Sequence, residues 1–412
     1  MHHLTYFREL WETSSTDFPR LNKEYSFHQK ILHEKKFDSF FHSLRESLNE
    51  SKTDNNQSSE NPVFSQIRNF LKEGLDYSDD QLDIILSNDM IANTLHFINE
   101  ARSFDKELGL EEIFQACRNV WIMNGLQYLF GQQIRLTPSI FAYSMLYPYT
   151  DNFIDDVSVS AEEKQAFAER FYKRLDNQVV EAANATETKI FQLVAKIEEE
   201  WPRDLYPDVY TSLLAIHEAQ TKSSALLTES HSLPKEEVFD ICVNKGGCSV
   251  MADGYLILGN LNEEQEKFLY GYGAYLQILD DLQDVYTDSR QGLMTCFSEA
   301  ARRDVIDEYA SRTFWLGEMI LKSVEQLSYA NKSVFFSLME KSIELFILES
   351  VISAGSLFSN KYVKAFKRFS PVRISYLTKR RDLLGSYPKN IIEKIAEIAI
   401  HQFDPIVNEL VD

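Results

Sequence analysis

Three carboxylates, those of Asp280, Asp281 and Asp284, lie inside a strongly apolar helical run, YGAYLQILDDLQDVYTDSRQGL. Leucine, isoleucine and valine surround them on nearly every side, which is typical of a helix buried all round rather than of a surface helix. A carboxylate in such a setting is costly unless it faces a cation or a hydrogen-bond donor. Asp280 and Asp284 lie about 40° apart around the helix and one turn apart along it, so the pair is placed to bind one cation.

The position of these acids near the end of their helix strengthens that argument. The polar stretch TDSRQG and Gly292 predict that the helix ends shortly after Asp284. Because the helix dipole disfavours negative charge at a C-terminal end, we expect a positive group nearby.

A second acid cluster repeats the pattern in FAYSMLYPYTDNFIDDVSVSAEEKQAF. Asp151 and Asp155 are again four residues apart, and Asp156 follows directly. Ser160 and Glu163 form a capping-box pattern, which predicts that a new helix begins there and that the acids close the preceding one. A single cluster of this kind is usually a solvated surface, but two with the same spacing and apolar flanks favour a binding role over surface decoration.

Charge and length limit the other interpretations. A chain of 412 residues can bury a large core, and its formal net charge of −21 argues against nucleic acid as a partner. The N-terminus has no basic segment followed by an apolar core, and no apolar run approaches the ~20 residues that span a bilayer. We therefore expect a soluble, cytoplasmic protein without stable membrane insertion.

Other metal chemistries have weaker support. The four cysteines form no CxxC pair, so buried thiols are expected. None of the nine histidines follows a glutamate by three residues, which removes the pattern of di-iron helix bundles.

Helical periodicity dominates the chain and alternating strand patterns are scarce, so the sequence predicts an all-α fold. The polar residues 51–62 predict a mobile loop. We take residues 1–62 as an N-terminal helical extension that includes this loop, and residues 63–412 as one α-helical domain. The predicted helices include unbroken ones near 79–104 and 160–200, one at 235–260 broken at Gly246 and Gly247, and a last one from about residue 388.

The two acid clusters resemble the paired Asp-rich motifs of the class I isoprenoid synthases, the superfamily of polyprenyl diphosphate synthases, squalene and phytoene synthases, and class I terpene cyclases. ILDDLQD is similar to the second motif of the polyprenyl synthases, and DNFIDD matches the DxxxDD form of squalene-synthase-like members. The resemblance covers roughly residues 110–385. It implies a bundle of antiparallel helices around a deep apolar cavity, with both motifs at its mouth.

The resemblance also implies a chemistry, in which Mg²⁺ ions, three in this superfamily, bridge the acids to an allylic prenyl diphosphate. Mg²⁺ binds a few carboxylates together with phosphate oxygens, and it neutralises the charge on the departing diphosphate. The catalytic residues implied are Asp151, Asp155, Asp280 and Asp284. The metal ligands implied are these four with Asp156 and Asp281.

The allylic carbocation needs a dry cavity with aromatic ring faces, each of which stabilises a cation by about 0.5–2 kcal/mol. The candidates for the cavity wall flank the two motifs and are Phe141, Tyr143, Met145, Tyr147, Phe153 and Tyr275. Candidates to bind the diphosphate, each equally compatible with a solvated surface base, are Lys245, Arg290, Arg118, Lys222, Lys379 and Arg380. At the glycines after Lys245, N–H groups freed by the predicted helix break would also bind an anion. A polar stripe lies either at the cavity mouth or toward solvent and comprises His217, Gln220, Thr221 and Ser224.

Three functions stay open. The arginine pair that follows the first motif of polyprenyl synthases is missing from VSVSAEEKQAF, which disfavours chain elongation. The Asn/Ser/Glu second motif of most cyclases is replaced by DDLQD, although large cyclases with two Asp-rich motifs exist. We rank a terpene synthase (a cyclase, and so a lyase acting on diphosphates) first, a prenyltransferase of the polyprenyl or squalene/phytoene synthase type second, and a non-catalytic acidic scaffold third. Helical prenyl synthases are commonly dimers, so the resemblance extends to a homodimer.

Overall fold

The computed structural model describes residues 2–50, 62–156, 158–224, 226 and 233–384. Within these ranges the regular structure is helical and no β-strand occurs, which confirms the all-α prediction. No helix in these ranges has an apolar stretch long enough to cross a bilayer. Residues 51–61 of the predicted polar loop and the helix predicted from about residue 388 lie outside the described residues.

The α-helices are numbered in chain order. They are α1 (His2–Thr13), α2 (Phe27–Glu50), α3 (Pro62–Leu75), α4 (Asp79–Ile85), α5 (Asn88–Phe104), α6 (Leu110–Leu129), α7 (Pro138–Asp155), α8 (Ala161–Leu175), α9 (Ala185–Glu200), α10 (Pro207–Ser223), α11 (Lys235–Leu258), α12 (Glu263–Gln283), α13 (Val285–Gln291), α14 (Cys296–Ala301), α15 (Asp307–Ser323), α16 (Lys332–Ser353), α17 (Asn360–Phe366) and α18 (Ile374–Leu384).

These helices form two compact units. Unit 1 contains the described residues of Met1–Pro19 and Glu111–Ser359, and unit 2 contains those of Arg20–Leu110 and Asn360–Asp412. The boundary that we placed at residue 62 falls inside unit 2. The two chain segments of unit 2 are joined by a buried carboxylate, because Arg373, directly before α18, contacts Glu34 of α2 at 2.7 Å.

The helices that carry the acid clusters end as the sequence predicts. Helix α7 begins after Thr137, whose side chain caps it, and ends at Asp155. Helix α12 turns at Asp284 into the short α13, which stops at Gly292 in the left-handed conformation with φ of 76°. The acids of both clusters therefore lie at or near helix C-termini.

Some of the predicted long helices are wrong, because they are interrupted. The segment 160–200 forms α8 and α9, and the segment 79–104 forms α4 and α5. In both cases a polar side chain, Asn184 or Ser87, accepts a hydrogen bond from a backbone N–H and caps the second helix. Periodicity runs across such a cap without revealing it.

The predicted break at Gly246 and Gly247 is also wrong, since α11 runs without interruption from Lys235 to Leu258. A Cβ atom on Gly246 would lie 2.5 Å from the carbonyl oxygen of Gly273, and one on Gly273 would clash with the carbonyl oxygen of Gly246. The glycines therefore let the backbones of α11 and α12 touch. No freed N–H groups are available there to bind an anion.

We expect Gly246→Ala to lower the free energy of unfolding by about 1–3 kcal/mol, because its methyl group meets a backbone that has no room to move. Thermal unfolding followed by circular dichroism measures the effect. Gly125→Ala in α6 is the matched control: the nearest neighbouring atom would be 3.8 Å away, so alanine should be neutral or stabilising by up to about 1 kcal/mol. Equal melting temperatures for both variants would contradict the helix contact.

Candidate functional site

A cavity of about 310 Å³ lies in unit 1 among α6, α7, α8, α10, α11 and α12. Most of its wall is apolar, and residues from all six helices line it. Its volume lies at the lower end of small-molecule sites, which span roughly 300–1,000 Å³. Representative apolar wall residues are Ile122, Leu146, Phe171, Leu213, Val250 and Leu276.

One acid from each cluster lines this cavity, and each faces a base. Asp151 of α7 lies 3.9 Å from the Lys245 Nζ of α11, and the Arg118 guanidinium of α6 donates to Asp280 Oδ1 of α12 at 3.2 Å. Arg118 is 69% exposed and Asp151 only 16%. The Arg118 pair thus lies at the open side of the cavity and the Lys245 pair deeper.

The row of carboxylates on α12 continues into α13, beyond the cluster seen in the sequence. We call Asp280, Asp284 and Asp288, which are spaced four residues apart, the acid ladder. Asp284 is exposed at the turn between α12 and α13, and Asp288, four residues further, is buried. Burial raises the pKa of Asp288 to about 7, and the charges of Asp284 and Asp280 add to that shift. Burial and the Asp280 charge likewise raise the pKa of Asp284. We missed Asp288, although the same four-residue spacing pointed to it.

The structure places two predicted metal ligands, Asp281 and Asp156, away from the carboxylates of Asp280, Asp284 and Asp288. Asp281 is buried next to the thiols of Cys242 and Cys296, and Gln277 donates to its Oδ1 at 2.8 Å. Burial raises the pKa of Asp281 to about 7. Asp156 is exposed and accepts the Ser158 N–H at 2.8 Å, which closes a turn; hydrogen bonds from the Ser158 side chain and backbone lower the pKa of Asp156.

Asp155 is the last residue of α7, and its side chain lies outside the described part of the structure.

Of the six predicted diphosphate-binding bases, Arg118 and Lys245 line the cavity. Lys222 is exposed on α10, and the guanidinium of Arg290 lies 5.7 Å from the ring centroid of exposed Tyr286. Neither is among the cavity-lining residues. Lys379 is exposed on α18 of unit 2, and the side chain of Arg380 on the same helix is outside the described part.

Two of the predicted wall residues, Tyr143 and Tyr147, line the cavity. The hydroxyl groups of both face Ser249 Oγ, at 3.4 Å and 2.6 Å respectively. Burial raises the pKa of both phenols, so both are neutral at physiological pH. Their rings form an aromatic part of the wall, about one and two turns before Asp151 on α7.

The other four predicted wall residues lie elsewhere. Phe141 and Met145 are fully buried in α7 but lie on its other side, because a residue two positions away is turned by about 200°. Phe153 packs against Phe167 of α8, with ring centroids 5.0 Å apart. Tyr275 lies against Gly317 of α15.

The polar stripe on α10 divides between the cavity and its own helix. His217 and Gln220 line the cavity, whereas the hydroxyls of Thr221 and Ser224 donate to carbonyls of α10. His217 Nε2 lies 2.9 Å from the Ala168 carbonyl, and burial lowers its pKa, so its imidazole is neutral. The buried Gln220 Nε2 has no hydrogen-bond partner in the described ranges, which leaves it available to a ligand.

A buried acid below the cavity wall was not predicted. Asn119 lines the cavity, and its Nδ2 donates to Asp253 Oδ1 and to Ser144 Oγ, both at 3.2 Å. Asp253 is completely buried, and burial raises its pKa far above the ordinary value. A neutral Asp253 therefore positions Asn119. The sequence MADGY gave no signal that this acid is buried.

In the described part of the chain, no group of three or more His, Cys, Asp or Glu side chains is arranged to hold a metal ion by itself. Comparisons with protein-family models, curated proteins and solved structures found no match to this chain.

Asp253 predicts a distinct pH dependence of stability. Because its folded pKa is raised, its contribution to stability is complete below about pH 4 and is lost as the pH rises. Asp253→Asn keeps a neutral acceptor for Asn119, so the variant should gain stability relative to the native chain by up to about 1.4 kcal/mol per pH unit above pH 4. Thermal unfolding across this pH range measures the difference.

Asp156→Asn supplies a control of opposite sign. Because the folded pKa of Asp156 is lowered, this carboxylate stabilises the fold at pH values above its pKa in the unfolded chain. That stabilisation is lost as the pH falls. A stability difference between Asp253→Asn and the native chain that did not change with pH would mean that Asp253 is ionised in the fold.

Proposed function

We propose that this protein is a Mg²⁺-dependent class I terpene synthase that ionises an allylic prenyl diphosphate, releases the diphosphate and quenches the carbocation to a terpene. The observation that carries the proposal is that Asp151 and Asp280, one from each Asp-rich motif, line the same apolar cavity. Each of them faces a base, Lys245 or Arg118. Motif acids on separate surfaces would not support this function.

The charges of the cavity argue for a cation together with the substrate. The two acids and two bases of the lining nearly cancel, so a diphosphate would bring uncompensated negative charge into a largely apolar site. Asp284 and Asp288 add further carboxylates beside Asp280. Carboxylate oxygens are ligands that fit Mg²⁺, which takes its remaining ligands from phosphate oxygens and water. When bound, Mg²⁺ would neutralise charge on the leaving diphosphate.

The protein groups around the diphosphate have separate roles in this proposal. Arg118 and Lys245 donate charge-assisted hydrogen bonds to its oxygens, and these bonds strengthen as the leaving group gains charge. Gln220 Nε2 is a third donor without a competing partner in the described ranges. Because these fixed donors interact more strongly with the departing diphosphate than with the bound substrate, they accelerate cleavage of the carbon–oxygen bond.

The apolar part of the cavity protects the carbocation. Leucine, isoleucine and valine side chains line it and disfavour water there, and the neutral rings of Tyr143 and Tyr147 lie on its wall. A ring face stabilises a nearby cation by about 0.5–2 kcal/mol, and by more where water is excluded. The prenyl chain of the substrate folds inside this wall before the carbocation is quenched.

Two observations favour the cyclase over the prenyltransferase. The joining of isoprenoid units by chain elongation requires a second diphosphate, yet the described cavity lining holds two basic side chains, each already facing an acid. The arginine pair that would bind the second diphosphate is also missing from the sequence after Asp156. The prenyltransferase stays the second candidate, and the scaffold the third.

The experiment that tests the function incubates the protein with Mg²⁺ and allylic diphosphates from geranyl to geranylfarnesyl length, each with and without isopentenyl diphosphate. Pyrophosphate release and mass spectrometry of extracted products are followed. We expect a hydrocarbon or terpene alcohol from the allylic substrate alone. A longer diphosphate that forms only with isopentenyl diphosphate would identify a prenyltransferase, and the absence of turnover with every substrate would favour the scaffold.

Binding of the product diphosphate is tested separately by thermal unfolding. Mg²⁺ with inorganic pyrophosphate should raise the melting temperature by a few degrees, because a ligand at about 100 times its Kd stabilises by about 2.7 kcal/mol. Mg²⁺ alone should have little effect, since no described group of acids is arranged to hold it by itself.

The Asp280→Asn and Asp151→Asn variants should lose this rise, whereas Asp156→Asn, altered at an exposed turn, should keep it. A native melting curve that does not respond to Mg²⁺ and pyrophosphate together would contradict the proposed site.

A further inference from the structure

One segment of this acidic chain has the opposite charge. Residues 350–381 contain eight Lys or Arg residues and no Asp or Glu, in a chain with net charge −21. The described part of the segment includes α17 and the start of α18 in unit 2. A local excess of this size creates a positive potential that reaches about 8 Å at physiological salt.

The basic side chains of this segment share one face of α17. Tyr362 and Phe366, four residues apart, are buried beneath the helix. Lys361 and Lys364 are exposed and three residues apart, and exposed Lys367 follows the helix. The apolar anchors thus fix the helix so that its lysines point to solvent.

A shallow concavity with a volume of about 700 Å³ adjoins the end of this helix in unit 2. Its lining includes Lys30 of α2 and Lys367, Arg368 and Arg373, and it contains no acid. We call the combined set the basic surface; it comprises Lys30, Lys361, Lys364, Lys367, Arg368 and Arg373.

The charges of the basic surface are only partly neutralised. Arg368 contacts Glu24 at 2.6 Å, and Arg373 contacts Glu34 at 2.7 Å. Lys361, Lys364 and Lys367 form no ion pair with a carboxylate of the described residues. At least three exposed positive charges are therefore available to an anionic partner.

An exposed aromatic ring completes the basic surface. Phe27, the first residue of α2, is 69% exposed, and it lines the same concavity. The guanidinium of Arg373 lies 5.6 Å from its ring centroid. Because a cation occupies this ring face, Phe27 is not an open platform for stacking nucleic-acid bases. An inorganic phosphate would gain nothing from an exposed phenyl ring.

A partner that offers both anionic phosphates and an apolar layer is a bilayer with anionic lipids. Juxtaposed lysines and an exposed aromatic ring are the features by which peripheral proteins bind such a surface. We infer that the basic surface docks unit 2 on membranes that contain anionic phospholipid, with Lys361, Lys364 and Lys367 at the headgroup phosphates and Phe27 in the interface. This docking is peripheral and independent of the proposed catalytic function.

The test is flotation of the full chain with vesicles of phosphatidylcholine alone or with phosphatidylserine. We expect binding only to the vesicles that contain phosphatidylserine, and release as the salt concentration rises. A triple variant, Lys361→Gln with Lys364→Gln and Lys367→Gln, should weaken binding about a hundredfold at low salt, or about fivefold for each lysine. Phe27→Ser should weaken it several-fold with an unchanged salt dependence.

Matched controls separate the surface from total charge and apolarity. A triple variant of exposed lysines elsewhere, Lys106→Gln with Lys173→Gln and Lys235→Gln, should bind like the native chain. Leu205→Ser alters an apolar residue that is 70% exposed and should have no effect. Circular dichroism verifies that each variant is folded.

Four results would overturn the inference. They are equal binding to neutral vesicles, no binding to either vesicle, equal loss in the control triple variant, and displacement from anionic vesicles by a stoichiometric amount of single-stranded oligonucleotide. The last result would identify nucleic acid as the partner instead.

Discussion

The contact between the backbones of α11 and α12 at Gly246 and Gly273 determines the geometry of the candidate site. Both glycines line the cavity, so the backbones of the two helices touch at its wall. Lys245 directly precedes one glycine, and Asp280 lies two turns beyond the other. Any side chain at Gly246 would also meet Gln277, so a wider separation would move the base and the acid apart. Close packing here requires two glycines inside helices, and each lowers stability by about 0.5–1 kcal/mol relative to alanine. Tertiary contacts offset that cost.

The acid ladder of α12 and α13 holds neighbouring carboxylates close together although they repel one another. Asp280, Asp284 and Asp288 repeat at every turn, and the raised pKa of the last two reflects the cost of burying and crowding carboxylates. Arg118 relieves part of this cost for Asp280, since it donates to that carboxylate. The remainder is an unfavourable term that a bound cation would remove. A ladder that is costly without a ligand is a physical reason to regard it as a binding site rather than as a solvated face.

Much of this arrangement could be predicted from the sequence, because spacing on a helix determines which residues share a face. The spacing of four residues found Asp151 and Asp280, and position on the motif helix found Tyr143 and Tyr147. It did not tell which face of α7 meets the cavity, so Phe141 and Met145 were predicted with them. That choice depends on which helices pack on each side, and Asp253 was missed for the same reason. The glycines of α11 were misjudged because a helix break and a close helix contact have the same sequence signal.

The charge distribution of the chain also bears on the basic surface of unit 2. A net charge of −21 already favours solubility, so exposed lysines are not needed for that purpose. In an acidic chain the cheapest location for a lysine is beside an acid, as for Lys72 beside Asp79. Lys361, Lys364 and Lys367 lie instead in a segment without acids. An anionic partner would relieve the repulsion among like charges held together in this way, and Phe27 beside them favours a partner with an apolar layer.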